Sequence, residues 1–254
     1  MRRIVIMGAS SGIGYRCAEE LASRGIRVGV AARNEAPLKK LKEQYPETVE
    51  YAAIDITSPD AKSRLLRLID RLGGMDIYFH VAGIGYENVE LDPETEVRIF
   101  ETNTIGFVRC IATAWQYFRR NGIKGQIAAI TSVAGTNGIG HLAAYSASKA
   151  ADQKWLTAID QLSHATHAGI SITDIRPGWI STSLLDDDVC FPMQMQLDYV
   201  VLRVLKAIIR KKRVAVIDWR WNILVGLWRL LPNCIYTRLD VRRAGTLPKV
   251  KIPQ

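Results

Sequence analysis

A tyrosine and a lysine four residues apart, Tyr145-Ser-Ala-Ser-Lys149, follow Ser132 by thirteen residues, and the chain opens on Gly8-Ala-Ser-Ser-Gly12-Ile-Gly14. On a helix, residues four apart share a face, about 6 Å apart along the axis. An ammonium held near a phenol stabilises the phenolate, which equips a tyrosine to pass a proton to or from a substrate oxygen. The pair alone is weak evidence; its force comes from what falls in register with it. The glycines bring different chemistry. Gly8 permits a tight turn, Gly12 lets backbone approach a phosphate, and Gly14 lets helix and strand pack closely. With Ser10, Ser11 and Ile13 they open a helix whose free amides suit the pyrophosphate of a dinucleotide.

The elements that must position these groups alternate along the chain. Ile4–Met7, Arg27–Ala32, Val49–Ile54, Ile77–Val81, Gln126–Ile130, Ser171–Ile175 and Val214–Ile217 read as seven buried strands, short, apolar and bounded by Gly, Pro or Asp. Between them, Gly14–Arg24, Glu35–Tyr45, Asp60–Leu72, Glu94–Arg120, Ala143–Thr166 and Leu197–Arg210 carry helical periodicity, with Pro59 and Pro93 where helix starts tolerate proline. Strict β-α alternation predicts one Rossmann-like domain over residues 1–254, a doubly wound parallel seven-stranded sheet with helices on both faces.

Composition narrows the class. The four cysteines lie far apart with no Cys-x-x-Cys spacing, which fits reduced thiols in a cytoplasmic protein better than a disulfide framework or zinc site. The apolar run after Met1-Arg2-Arg3 stops at Gly8, too short for the roughly 7–15 residues of a secretory signal. From Arg203 onward thirteen Lys/Arg face two acidic residues, so that region carries +11 of the net +9 and the remainder carries −2. No recognition motif accompanies the charge, and nucleic acid is not expected as a partner. His80 ends a buried strand and reads as structural, and His164 and His167 lie near a helix end without acidic or thiol partners, so no metal is expected.

The glycine spacing resembles the short-chain dehydrogenase/reductase family, over about residues 3–217. Asp55 after the third strand, Ala82-Gly83 after the fourth, Asn103, Thr131-Ser132, Tyr145-x-x-x-Lys149 and Pro177-Gly178-Trp-Ile-Ser-Thr182 complete the resemblance. It implies that Tyr145 acts as general acid in carbonyl reduction and that Lys149 supports the phenolate and holds the nicotinamide ribose. It further implies that Ser132 bonds the substrate oxygen and that Asn103 anchors a water linking Lys149 to solvent. Each has a bland alternative: Ser132 capping a turn, Asn103 bonding backbone in mid-helix, Tyr145 in the core. Asp55 and Ile56 are expected beside the adenine, Ala82 and Gly83 are expected to bind the cofactor, and Pro177, Gly178, Ile180 and Thr182 are expected to line the nicotinamide and its amide. Met7 and His80 depart from the family's usual threonine and asparagine, and neither is expected to touch the chemistry.

Where NAD-preferring relatives carry an acidic residue after the second strand, this chain has Ala32-Arg33. A guanidinium pairs with a 2′-phosphate that a carboxylate would repel, so NADP(H) is favoured over NAD(H), with a solvated loop arginine as the alternative. Residues 183–198 occupy the place of a substrate lid, in which Met193 and Met195 suit either an adaptable apolar surface or the core. The apolar and basic extension 218–254 carries Trp219, Trp221 and Trp228, and its first thirteen-residue stretch is too short to span a bilayer. It suits peripheral contact with a membrane, packing on the body, or a homo-dimer or homo-tetramer contact. The expected activity is NADPH-dependent reduction of a lipophilic, steroid- or long-chain lipid-like ketone. The alternatives are a 3-oxoacyl-acyl-carrier-protein reductase and a non-catalytic dinucleotide-sensing scaffold, the latter disfavoured by an intact proton relay.

Overall fold

Strand β1 (Arg3–Met7) already carries the design of the molecule, because its side chains alternate between two separate cores. Ile4 and Ile6 join one apolar cluster, Val5 and Met7 the other. A strand apolar on both faces belongs in the middle of a parallel sheet covered on both sides. The computed structural model describes residues 2–181 and 193–239. Thr182, most of the expected lid and the chain after Leu239 lie outside the described residues.

The remaining strands are β2 (Arg27–Ala32), β3 (Val49–Ala53), β4 (Ile77–His80), β5 (Gln126–Ile130), β6 (Ser171–Arg176) and β7 (Val214–Val216). All pair in parallel, in the order β3-β2-β1-β4-β5-β6-β7. The expected seven-stranded, doubly wound, Rossmann-like sheet is therefore present, with strand limits shifted by one residue at most. Helices α1 (Gly12–Ser23), α2 (Ala36–Gln44) and α7 (Leu197–Ile209) cover one face. Helices α3 (Ala61–Arg71), α5 (Phe107–Arg120) and α6 (Ala143–Ala165) cover the other. Leu65 and Leu68 of α3 and Phe107 and Phe118 of α5 are fully buried. Each such side chain contributes about 1.5–3 kcal/mol through burial.

The chain order reverses between β1 and β4, which opens a crevice beyond their carboxyl ends. The backbone closes the sheet there, since the Met7 carbonyl accepts from Val81 N at 2.7 Å and from Ala82 N at 2.9 Å. Main-chain bonds thus brace the position where Met7 and His80 replace the family's polar residues.

One expected element is divided. The helix expected over Glu94–Arg120 consists of α4 (Pro93–Phe100), a π-helical turn (Glu101–Gly106) and α5. Asp92 starts α4 by accepting from Thr95 N at 2.9 Å, and Pro93 occupies the first turn. The wide turn answers to contacts with other segments: Asn103 is bonded to the backbone of Ile84, and Gly106 lies against Ile56, where a Cβ would come within 2.7 Å of its Cγ1.

After β7 come α8 (Trp219–Leu230) and a short α9 (Asn233–Tyr236). Helix α8 reads as apolar nearly all round, yet only one side is buried. Trp221 and Val225 join the core, whereas Trp219, Ile223, Leu227 and Leu230 face outward. Among the described residues, no helix is long and apolar enough to cross a membrane.

Candidate active site

Helix α6 places Tyr145 and Lys149 on one face. Its alanines favour the helix, and its first turn is fastened by Glu96, whose carboxylate accepts from Ala144 N at 3.0 Å. Ser148 turns its hydroxyl back onto the Tyr145 carbonyl at 2.8 Å. The Lys149 ammonium lies 5.9 Å from the centre of the Tyr145 ring. Lys149 is buried and Tyr145 half-buried. The Tyr145 ring lies on Gly85, where a Cβ would approach Cδ2 to 2.8 Å.

Asn103 and Gly83 meet the lysine from the other side. A Cβ on Gly83 would stand 3.3 Å from both Asn103 Oδ1 and Lys149 Nζ. Asn103 accepts from Ile84 N and donates to Ile84 O, both at 2.8 Å, and also donates to Ser148 Oγ at 3.1 Å. Its side chain therefore ties the β4 loop to α6, which is the backbone-bonding alternative, made from a π turn rather than mid-helix. Such turns are frequent at functional sites.

Ser132 caps the 3₁₀ turn Val133–Thr136, its Oγ accepting from Ala134 N at 3.1 Å. Gln153 of α6 donates to the Ser132 carbonyl at 2.6 Å, and Val133 N donates to the Pro177 carbonyl at 3.0 Å. Below it lies a buried ionic brace. Asp174 accepts from Thr131 Oγ1 at 2.6 Å and from Arg176 Nε and Nη2 at 2.8 and 2.6 Å. Ala134, Ile139 and Leu142 form an apolar cluster with Tyr145, Trp179 and Trp228 packed against it, so the turn capped by Ser132 and the Tyr145 ring meet at one cluster.

At the crevice, glycines let backbone pass close to backbone. Gly8 has φ +96° and Gly12 φ +53°, conformations that favour glycine. A Cβ on Gly8 would land on Ala82 N, and one on Gly14 on the Gly8 carbonyl. Ser11 is extended at the start of α1 and makes no side-chain cap, with Ser10 before it and Ile13 buried behind. These features fit a dinucleotide pyrophosphate at the helix start. Arg33 is exposed just past β2. Asp55 Oδ1 accepts from Thr57 N at 2.9 Å and Thr57 Oγ1 at 2.8 Å. Ile56 is buried against Gly106.

Pro177 and Gly178 follow β6, and the Trp221 indole of α8 lies directly on Gly178. Trp221 Nε1 donates to the Met193 carbonyl at 3.3 Å. Ile180 bridges to Met195, with Ser181 N donating to Met195 O and Met195 N to Trp179 O, both at 3.0 Å. Met195 is core, Met193 packs partly against it, and α7 begins at Leu197, inside the span expected for the lid. The second half of α8 and helix α9 also reach the loop after Ser132: Asn137 Nδ2 donates to the Trp228 carbonyl at 3.2 Å, and the Tyr236 hydroxyl of α9 donates to the Gly138 carbonyl.

Two histidine readings change. His164 does have an acidic neighbour, Asp160, at 4.0 Å one helical turn back. His80 is structural in its contacts, pairing with the Tyr78 hydroxyl at 3.0 Å and edge-on to Phe107. Yet it is not remote from the chemistry: burial first, and the Lys149 charge second, press it down to about 3, so it stays neutral. Among the described residues no group of three or more His, Cys, Asp or Glu is placed to hold a metal ion.

Sequence reasoning missed Asp152, Gly85, Ser148, Trp221 and Trp228. The first was visible in principle, an acidic residue three positions after Lys149 and on the same helical face.

A family model described as short chain dehydrogenase matches residues 2–189. The chain is 30% identical to an uncharacterised oxidoreductase of Myxococcus xanthus over 92% of its own length and 94% of the relative's. A short-chain dehydrogenase from Sphingobium yanoikuyae, solved with NADPH, superimposes with a TM-score of 0.77 at 24% identity, covering 95% and 97% of the two chains. A variant of the actinorhodin polyketide ketoreductase with NADPH gives 0.65 at 28% identity over 71% of each chain. With residues 2–189 matched by the family model and the parallel sheet shared with the solved relatives, the chain belongs to the short-chain dehydrogenase family and is an NAD(P)-dependent oxidoreductase.

Proposed function

We propose that the protein is an NADPH-dependent carbonyl reductase, or in reverse an alcohol dehydrogenase, acting on a lipophilic ketone. The observation that carries this reading is the convergence of Tyr145, Lys149, Asn103 and Gly83, beside a cluster of apolar and aromatic side chains. Gly8, Ser10, Ser11, Gly12, Ile13 and Gly14 would hold the pyrophosphate, and Gly83, Lys149, Pro177, Gly178, Ile180 and Thr182 the nicotinamide half. Ala82 backs the crevice, Asp55 and Ile56 border the adenine side, and Arg33 supplies the charge that favours a 2′-phosphate. Bound there, a reduced nicotinamide supplies the hydride that the carbonyl carbon takes.

Tyr145 gives its proton to the substrate oxygen as negative charge develops there. Lys149 stabilises the resulting phenolate. The Ser132 hydroxyl donates a hydrogen bond to the same oxygen and fixes its position. Asn103 holds the β4 loop and α6 in register so that the lysine cannot swing away. Attraction between an ammonium and a developing phenolate is stronger away from bulk water than in it.

Ile139, Leu142, Trp179 and Trp228 favour an apolar substrate, since a polar one would leave unpaired groups against them. Ketones graded by apolar length, assayed by NADPH consumption, test this: KM should fall as the chain lengthens, and a preference for short polar ketones would defeat it. A second reading, 3-oxoacyl-acyl-carrier-protein reduction, is favoured by the likeness to the polyketide ketoreductase and by the basic C-terminal region. Turnover of carrier-bound but not free ketones would select it.

The outward stripe of Trp219, Ile223, Leu227 and Leu230, in a basic region, supports peripheral contact with an anionic membrane surface, and the same stripe suits a homo-dimer or homo-tetramer contact. Flotation with anionic vesicles beside a sizing run separates the two. Binding without self-association supports the first and the opposite result the second.

A further inference from the structure

Asp152 is the buried acid that the proposed reaction leaves unused. It lies on α6 three residues after Lys149, so Tyr145, Lys149 and Asp152 form one continuous stripe along the helix. It is fully buried, and neither carboxylate oxygen accepts a hydrogen bond among the described residues. The Lys149 ammonium stands 3.7 Å from Oδ2, within ion-pair range but beyond hydrogen-bond length. An acid in that position has few ways to be charged.

The groups around it leave one partner. Asp174 on β6 is the other nearby acid, but its oxygens are already bonded to Thr131 and Arg176. Gln153, the next residue, spends its amide on Ser132. His80 on β4 faces Lys149 and is neutral at working pH. That leaves the Lys149 ammonium, which is also the charge that acts on the phenol. Burial, with Asp174 adding to it and Lys149 opposing, pushes the Asp152 carboxyl up to about 7.

We propose that Asp152 acts on the reaction through Lys149, as a buried counter-charge that offsets the ammonium, so that the lysine acts on the phenol in full only when Asp152 is protonated. This rests on the reading of Tyr145 as proton donor. When Asp152 loses its proton, the lysine's charge is shared between the carboxylate and the phenol oxygen, and less of it supports the negative charge that proton transfer leaves there. Removing the carboxylate frees the lysine for the phenol at every pH.

The test compares wild type with Asp152→Asn. In wild type, kcat/KM for ketone reduction should fall several-fold between pH 6 and 8. In the variant that inflection should vanish while NADPH affinity, read by cofactor fluorescence, stays within about threefold. The same inflection in both proteins, or none in wild type, would overturn the proposal. A second readout needs no turnover. At pH 8, Lys149→Met should lower the melting temperature of wild type at least twice as much as that of the Asp152→Asn protein, because only the former strands a buried carboxylate. Equal decrements would refute the coupling even if the reaction assigned to Tyr145 proved wrong. Should the asparagine variant misfold, Asp152→Leu serves, with the same expected results.

Discussion

Replacing Gly178 and Trp221 by alanine, singly and together, measures how firmly α8 is seated on the loop after β6. The Trp221 indole occupies the space a Cβ at Gly178 would need, and its Nε1 bonds the Met193 carbonyl at 3.3 Å. Trp221→Ala removes a buried aromatic side chain from a packed cluster, at a cost of about 3–5 kcal/mol. For a chain of this size that corresponds to a drop in Tm on the order of 10 °C. Gly178→Ala forces a methyl group against the ring, and overpacking of this kind costs about 1–3 kcal/mol. In the double variant the methyl enters space the indole has left, so the two costs should not add. The combined destabilisation, from urea or thermal unfolding, should fall short of the sum by at least about 1 kcal/mol. Additivity within about 0.5 kcal/mol would refute the contact and, with it, the placement of the C-terminal helix against the site.

Other consequences are independent of that helix. The Asp152 carboxyl is raised from 3.8 to about 7 in the folded chain, so its contribution to stability is full below the unfolded value and is lost as pH rises through about 7. Asp152→Asn should therefore gain on wild type between pH 4 and pH 8, by at most about 4 kcal/mol; a difference independent of pH in urea titrations would contradict this. His80, held down to about 3, acts in the opposite sense, with stability lost as pH falls from 6.5 toward 3, but equally in both proteins. Arg33→Asp should raise KM for NADPH about tenfold or more while leaving that for NADH nearly unchanged. Equal changes would defeat the assignment of the 2′-phosphate to Arg33.

The sheet was legible because its signals are local. Seven apolar runs such as Ile4–Met7 and Gln126–Ile130 each state their own burial, and β-α alternation leaves few topologies open. The tyrosine–lysine face and the glycine turn were legible for the same reason, being set by spacing within one helix and one turn. What escaped depends on distant partners. The break at Asn103 follows from Ile84 and Ile56, which are far from it in sequence. For Trp221 and Trp228, packing on the body stood beside membrane and subunit contact as an open reading, because nothing in their own stretch points to Gly178 or Asn137. Spacing alone puts Asp152 on the Lys149 face, but its burial follows from neighbouring elements that the helix's own sequence does not name.

The most direct test of the whole account is Tyr145→Phe, measured for turnover and for NADPH binding in the same preparation. The ring's packing on Gly85 is kept and only the hydroxyl is lost, so cofactor affinity should hold within about threefold while kcat falls by about 10²–10⁴. Undiminished turnover with cofactor bound would place the proton transfer on another group and contradict the account.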